Sequence, residues 1–286
     1  MNGILLVDKP QDWTSHDVVA KLRGIFGERR IGHSGTLDPL ATGLLVVFLG
    51  KATKAVEFSE AAEKEYLAHL RLGMETDTQD ITGTVLRTSQ HIPTCAELET
   101  VLPQFLGSIQ QIPPMYSAIK VNGKKLYDIA RKGGEVERQS RPITIHALDL
   151  LGEEDGDYLL RIRCSKGTYI RTLCHDIGQM LGCGGVMTSL RRTRVGGYDV
   201  CDAHAVAALS EMERSDAESL LLPLDTVFSD LTAVTLSSKN EAHCRNGRPF
   251  CMDLPNGKYR LYAKDGQFLM VAAVESEQVL ALKRFY

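Results

Sequence analysis

The chain has 286 residues, 43% of them hydrophobic and 24% charged, with a formal net charge of −3. That composition excludes a disordered tail or a fibrous repeat, and the length allows one large core or two smaller ones. So even a balance gives no global argument for a polyanion partner, and any nucleic-acid site has to come from local segregation of charge.

The N-terminal Ile4 to Val7 reads as a strand rather than the apolar core of a signal peptide. Ser15 to Phe26 reads as a helix with Val18, Val19, Leu22, Ile25 and Phe26 on one face. A loop punctuated by Gly and Pro, Gly32 to Gly43, leads into a buried strand, Leu44 to Leu49. Lys64 to Leu72 alternates, with Tyr66, Ala68, Leu70 and Leu72 on one face and Lys64 aimed to the same side. Thr94-Cys95-Ala96-Glu97 has capping-box spacing and starts a helix. Strands follow at about 142–151 and 157–164, then a helix with Ile170, Leu173, Ile177, Met180 and Leu181 inward and Gly182 just past its end.

Residues 200–230 carry seven acidic side chains against the single Arg214 and read as a connector. Beyond it, Asp265-Gly266 between Tyr259 to Ala263 and Phe268 to Val274 signals a hairpin. With Leu231 to Leu236 before and Val279 to Leu282 after, it predicts a small β-rich module. Phe268 to Val274 is the longest apolar run and falls far short of the roughly 20 residues that cross a bilayer. The seven cysteines are odd in number and form no C-x-x-C pair. That usage fits reduced thiols in a cytoplasm and argues against a disulfide frame or a structural zinc site.

Charge is segregated in two places. Residues 161–198 hold seven basic side chains against Asp176 alone, and 111–141 hold seven against three acids. Such runs are either solvated surface or a polyanion face.

The loop Gly32-His33-Ser34-Gly35-Thr36-Leu37-Asp38-Pro39-Leu40-Ala41-Thr42-Gly43 frames one carboxylate with three glycines and a proline. It is not a serine-hydrolase elbow, because Thr36 stands where G-x-S-x-G needs its second glycine. Nor is Gly50-Lys51 a phosphate loop, since Leu45 occupies the place of the first glycine and Ala52 that of the hydroxyl. Asp38 is left as a nucleophile, a general base, or a turn residue capping its own loop.

The stretch GHSGTLDPLATGLL resembles the signature of the TruB family of tRNA pseudouridine synthases. Lys9-Pro10 with Thr14-Ser15, Lys64-Glu65-Tyr66, Thr76-Asp77-Thr78-Gln79-Asp80, Ile112 to Ala118, Gly123 to Tyr127 and Ser165 to Arg171 resemble its further motifs, in the family's order. The likeness runs over residues 3–198. The chain departs from it at Asp12, where the family commonly has Gly, and at Ser34, often Thr.

The resemblance implies an α+β protein. A mixed, largely antiparallel sheet flanked by helices, the pseudouridine synthase fold, occupies 1–230, with an RNA-clamping insertion at about 111–141. A PUA-like RNA-binding domain occupies 231–286. It also implies a cytoplasmic monomer that isomerises a uridine in the T-arm loop of tRNA, without metal or cofactor and with no obligatory protein partner. In that reading Asp38 is the nucleophile, kept ionised by Arg171 through a bidentate fork. The base is flipped out of its stack to reach it. Tyr66 stacks on the base, Tyr169 and Leu190 line its pocket, and His33 fills the space it leaves. Lys9 and Lys64 either contact phosphate or brace the loop. Lys124, Lys125, Arg191, Arg192 and Arg194 hold the RNA backbone.

Overall fold

The computed structural model describes residues 1–117, 119–121, 123–130, 133–134 and 136–286. In chain order, β1 (Gly3–Lys9) is followed by α1 (Ser15–Phe26), β2 (Ile31–Ser34), β3 (Thr42–Leu49), α2 (Val56–Ala61), β4 (Lys64–Leu72), β5 (Met74–Thr76) and β6 (Val85–Thr88). Next come α3 (Cys95–Val101), β7 (Gly107–Gln111), β8 (Lys120–Val121), β9 (Lys124–Lys125), α4 (Leu126–Ala130), β10 (Arg141–Glu154), β11 (Asp157–Cys164) and α5 (Ile170–Met180). Then β12 (Gly185–Val195), β13 (Tyr198–Asp199), β14 (His204–Ala205), α6 (Val206–Glu211) and α7 (Arg214–Ser219) lead to β15 (Thr232–Thr235), α8 (Ser238–Arg245), β16 (Gly257–Tyr262), β17 (Phe268–Glu275) and β18 (Gln278–Arg284).

The main sheet has the order β14-β1-β3-β12-β4-β11-β10-β7, with β2 on β3 and β13 on β12. Only β1/β14 and β3/β12 run parallel, so the sheet is mixed and largely antiparallel, as expected. β1 and β3 are buried on both faces, because α1, α6 and α7 cover one side while Phe228, Phe268 and Phe285 pack on the other. That is why Leu44 to Leu49 is an unbroken apolar run, whereas β4, covered on one side by α5, alternates. α1 begins where Thr14 and Asp17 form a capping box and ends at Gly27, which takes φ 59. α3 has its own box between Thr94 and Glu97.

The C-terminal sheet has the order β15-β16-β17-β18 and includes the expected hairpin. It shares a core with the main sheet through Val271, Phe268 and Phe285. Two expectations need correction. Residues 200–230 are not a bare connector: Val206, Leu209 and Ala217 bury against α1, and Leu222 bridges to Ile4 at the start of β1. Most of the acids that suggested a linker are exposed on or beside short helices, while Asp225 is half-buried, paired with Arg260 and accepting from the Tyr262 hydroxyl. Met180 is exposed, because it falls at the edge of the inward face of α5, which Ile177 and Leu181 carry on to the end of the helix. No helix among the described residues is long and apolar enough to cross a membrane.

The crossing that matters most for the site is β3 against β12, where Thr42 and Gly43 pair with Arg191 and Arg192. Gly43 sits at φ 96, and a Cβ there would lie 2.3 Å from the Arg192 carbonyl oxygen. Gly43→Ala is therefore expected to destabilise the protein by about 2 kcal/mol or more, through overpacking and a strained φ. A thermal melt unchanged from wild type would show that the two strands can part there without cost.

Candidate active site

The glycine-rich loop is shorter than it reads, since Ile31–Ser34 belong to β2, and Gly35 to Ala41 bridge to β3. Leu37 and Ala41 are buried, and Ala41 N donates to Asp38 O at 3.0 Å, closing a tight turn around the carboxylate. The loop is gripped from three sides. The Ser15 hydroxyl, at the start of α1, accepts from Leu37 N at 2.9 Å. Asp12 N donates to Pro39 O at 2.8 Å, with Asp12 at φ 64, and this left-handed conformation is the physical reason a glycine is at home in that position. Arg192 donates from Nη2 to Gly35 O at 3.1 Å and from Nε to Leu44 O at 2.7 Å. Ser34 is buried with its hydroxyl 2.8 Å from that of Ser59, so the replacement of Thr by Ser keeps a used hydroxyl.

Asp38 itself is 41% exposed, while the Arg171 side chain is 6% exposed. They meet at 2.9 Å, Arg171 Nε to Asp38 Oδ2. The contact is not the expected bidentate fork, because the two terminal nitrogens are used elsewhere. Nη1 donates to Thr78 O at 3.0 Å and lies 3.7 Å from Asp80 Oδ2, and Nη2 donates to Tyr116 O at 2.8 Å. Thus one buried guanidinium joins the Asp38 loop, the turn after β5 and the root of the 111–141 insertion. In the sequence Asp80 stands out only as the last residue of the motif Thr76-Asp77-Thr78-Gln79-Asp80. It is buried, accepting from the Thr78 and Thr82 hydroxyls and from Thr82 N. Gln79, beside it, takes φ 64 and accepts from the Thr172 hydroxyl with its side chain. Nothing in the linear spacing pairs this turn with α5.

Tyr66, on the covered face of β4, and Leu190, on β12, are buried together with Leu37 in one cluster. Burial raises the pKa of the Tyr66 hydroxyl, the Arg192 guanidinium opposes that rise, and the Asp38 charge adds to it. Tyr169, the residue before α5, is likewise raised by burial and feels Arg171 and Asp38. Both tyrosines therefore stand around the carboxylate, with their hydroxyls neutral. His33 on β2 lies edge-on to His16, with ring centroids 6.5 Å apart, and its buried Nδ1 has no hydrogen-bond partner among the described residues. Burial, then Arg192 and His16, push its pKa down to about 4.

Lys9 and Lys64 do not reach out to substrate. Lys9 is fully buried and donates to Pro10 O, Trp13 O and Pro39 O, while Lys64 donates to Glu60 O and Ala62 O. Each is pushed down to about 8, chiefly by burial. They are braces, because a buried ammonium has to spend its donors on nearby carbonyls. Arg192 is corrected in the same way: it is 1% exposed and cannot touch an RNA backbone. Arg191 and Arg194 are at the surface but paired, Arg191 in a fork to Asp8 at 3.0 and 2.8 Å and Arg194 to Asp199 at 3.7 Å. Lys124 and Lys125 form a two-residue ladder with Lys120 and Val121; their side chains, like all of Ala118, Arg131, Lys132 and Glu135, lie outside the described residues.

A cation-anchored carboxylate in a rigid loop between two neutral tyrosines is suited to covalent or acid–base work on a planar ring. The family described as TruB family pseudouridylate synthase (N terminal domain) matches residues 23–170, and tRNA pseudouridylate synthase B C-terminal domain matches 171–229. The tRNA pseudouridine synthase B of Aromatoleum aromaticum is 41% identical over 99% of this chain and 92% of its own. That of Syntrophotalea carbinolica is 45% identical over 89% and 83%. Among solved structures, one of a Cbf5-Nop10-Gar1 complex matches with TM-score 0.76 and 25% identity, over 99% of this chain and 85% of the other. Fold and site thus define an RNA-modifying isomerase of the pseudouridine synthase class. The chain belongs to the TruB family of pseudouridylate synthases.

Two outcomes follow from this geometry. Arg171→Lys keeps a charge but leaves Thr78 O and Tyr116 O without their donors, so turnover is expected to fall at least about 100-fold. Activity within a few-fold of wild type would mean that the three-way junction does not support the reaction. His33 binds its proton at about 4 when folded and near its ordinary 6.5 when unfolded. Stability present above pH 6.5 is accordingly lost as pH falls towards 4, by up to about 3 kcal/mol. His33→Phe should flatten that part of the stability–pH curve in chemical denaturation; an unaltered slope would show that His33 protonates freely in the folded protein.

Proposed function

We propose that this TruB-family enzyme converts a uridine in the T-arm loop of tRNA to pseudouridine, with Asp38 as the nucleophile. The single observation that supports the reading is the Asp38–Arg171 contact at 2.9 Å, in which the carboxylate stays open to solvent while its cation is buried. A buried guanidinium costs much less when every donor faces an acceptor, and its fixed charge favours the ionised carboxylate that attack requires.

A uridine stacked inside an RNA loop is out of reach of Asp38, so the base is turned out into the pocket of Tyr66, Tyr169 and Leu190. Stacking on an aromatic face contributes about 1–3 kcal/mol per base and offsets part of the unstacking cost. His33, uncharged at neutral pH, fills the space beside the loop. Asp38 bonds transiently to the nucleotide, the bond from sugar to nitrogen is broken, the ring is rotated while held, a bond from sugar to carbon is made and Asp38 is released; the proton leaving that carbon is matched by one taken up at the freed nitrogen, so atoms balance within the nucleotide.

RNA is positioned through backbone contacts that carry no base information, with Lys124 and Lys125 on the insertion as the leading donors. Arg191 and Arg194 take part only by exchanging Asp8 and Asp199 for phosphate. The C-terminal sheet serves as an accessory RNA-binding module, and the enzyme works as a cytoplasmic monomer.

The direct test is incubation with unmodified tRNA transcript followed by mapping of pseudouridine. Asp38→Asn keeps the side chain's shape and removes its charge, so turnover should vanish while tRNA binding persists. Retention of even about a tenth of the wild-type rate would remove Asp38 from the role of nucleophile, since loss of a covalent nucleophile costs several orders of magnitude.

A further inference from the structure

The insertion leaves the main sheet at Gln111, the last residue of β7, whose side chain is almost completely enclosed, the residue being 2% exposed. A buried carboxamide needs partners for both ends, and this one finds them on a single residue. Gln111 Nε2 donates to Tyr169 O at 3.0 Å, and Gln111 Oε1 accepts from Tyr169 N at 2.8 Å. The side chain thereby imitates the paired hydrogen bonds of a neighbouring strand. Its target is the N-cap residue of α5, which holds extended φ −98 and ψ 109 and has no side-chain cap of its own.

Two residues further on is Arg171, and the same insertion root reaches it directly through the Tyr116 carbonyl at 2.8 Å. The start of α5 is therefore fastened to the insertion root at two points, Gln111 on Tyr169 and the Tyr116 carbonyl on Arg171, and the Gln111 pair is the one that fixes the peptide groups from which the helix begins. The charged groups acting on Tyr169 are Arg141, which pairs with Gln111 across β7 and β10, Arg171 and Asp38.

We infer that Gln111 is a positioning residue for the reaction: by clamping the Tyr169 peptide it sets the first turn of α5, and with it the placement of Arg171 Nε against Asp38. Its carboxamide is enclosed with both ends on the Tyr169 peptide, so its effect falls on the rate of the chemical step rather than on capture of tRNA. The inference rests on the reading of Asp38 and Arg171 as the reacting centre.

The experiment compares Gln111→Leu and Gln111→Glu with wild type by single-turnover pseudouridine formation on a tRNA transcript, tRNA affinity by filter binding, and thermal melting. Gln111→Leu fills the same space but leaves Tyr169 N unpaired, and a misplacement of about 1 Å at a reacting group can cost about 100-fold in rate. The expected result is a rate 10- to 100-fold lower, as an order of magnitude, with tRNA affinity within about twofold of wild type. In Gln111→Glu an ionised carboxylate would oppose the Tyr169 carbonyl, whereas the protonated acid supplies one donor and one acceptor, as the amide does. Its rate relative to wild type should therefore rise as pH is lowered from about 8 towards the range in which carboxyls protonate. A wild-type rate in Gln111→Leu, a parallel loss of rate and affinity, or a Gln111→Glu defect that ignores pH would overturn the inference. Should Gln111→Leu fail to fold, the pH response of Gln111→Glu decides alone. Failure of the wild-type protein to modify tRNA would strike the underlying reading, an outcome separate from any behaviour of the variants.

Discussion

The structure turns on a buried guanidinium. Arg171 carries a charge that cannot be left unpaired away from water, and its donors face Asp38 and Asp80 as carboxylates and Thr78 and Tyr116 as carbonyls. Those acceptors come from three segments far apart in the chain, so satisfying one side chain brings the Asp38 loop, the turn after β5 and the insertion root to one point. The exposure of the pair is asymmetric by construction: the cation is sealed in and the anion faces solvent. A second buried guanidinium, Arg192, does a different task, because its acceptors are the Leu44 and Gly35 carbonyls. It props the backbone of the loop, while Arg171 orients the group that the loop presents.

Rigidity under Asp38 is produced by many weak constraints instead of one strong one. Ser15 of α1 holds the Leu37 N–H, Arg192 of β12 the Gly35 carbonyl, and Lys9 of β1 together with the Asp12 N–H the Pro39 carbonyl. Lys9 and Lys64 are buried cations whose donors are taken up by carbonyls, and it is burial that depresses their affinity for protons. Such an arrangement costs stability and leaves local geometry well defined, a balance common at sites where chemistry needs preorganisation.

Charge along the chain and charge in space are different quantities here. The run 161–198 is strongly basic as a sequence, yet folding brings Asp149 to Arg161, Glu63 to Arg163, Asp8 to Arg191 and Asp199 to Arg194. Asp149 and Asp199 come from strands next to those of their arginines, Glu63 from the residue just before β4, and Asp8 from β1, across β3 from the strand of Arg191, so the sheet is laced with ion pairs. An RNA backbone arriving there competes with existing partners, and the gain per contact is smaller than a count of arginines suggests.

The sequence alone determined the class of fold, through the resemblance its motifs carry, and the alternation that buries one face of β4, the capping box of α3 and the glycine-framed carboxylate, because each of these three is written in neighbouring residues. The ordered motifs also carried the resemblance to the TruB family, and with it Asp38, Arg171, Tyr66, Tyr169 and Leu190 as a group. Only the tertiary structure decided what the cations do. Whether Lys9, Lys64 or Arg192 faces solvent depends on which strand lies beside which, and pairing of β3 with β12 puts Arg192 inside where its sequence neighbours Arg191 and Arg194 stay out. The same holds for Gln111, Asp80 and the acidic stretch 200–230: their partners lie dozens of residues away or more, and hydrogen bonding and burial between distant segments leave no mark on local spacing.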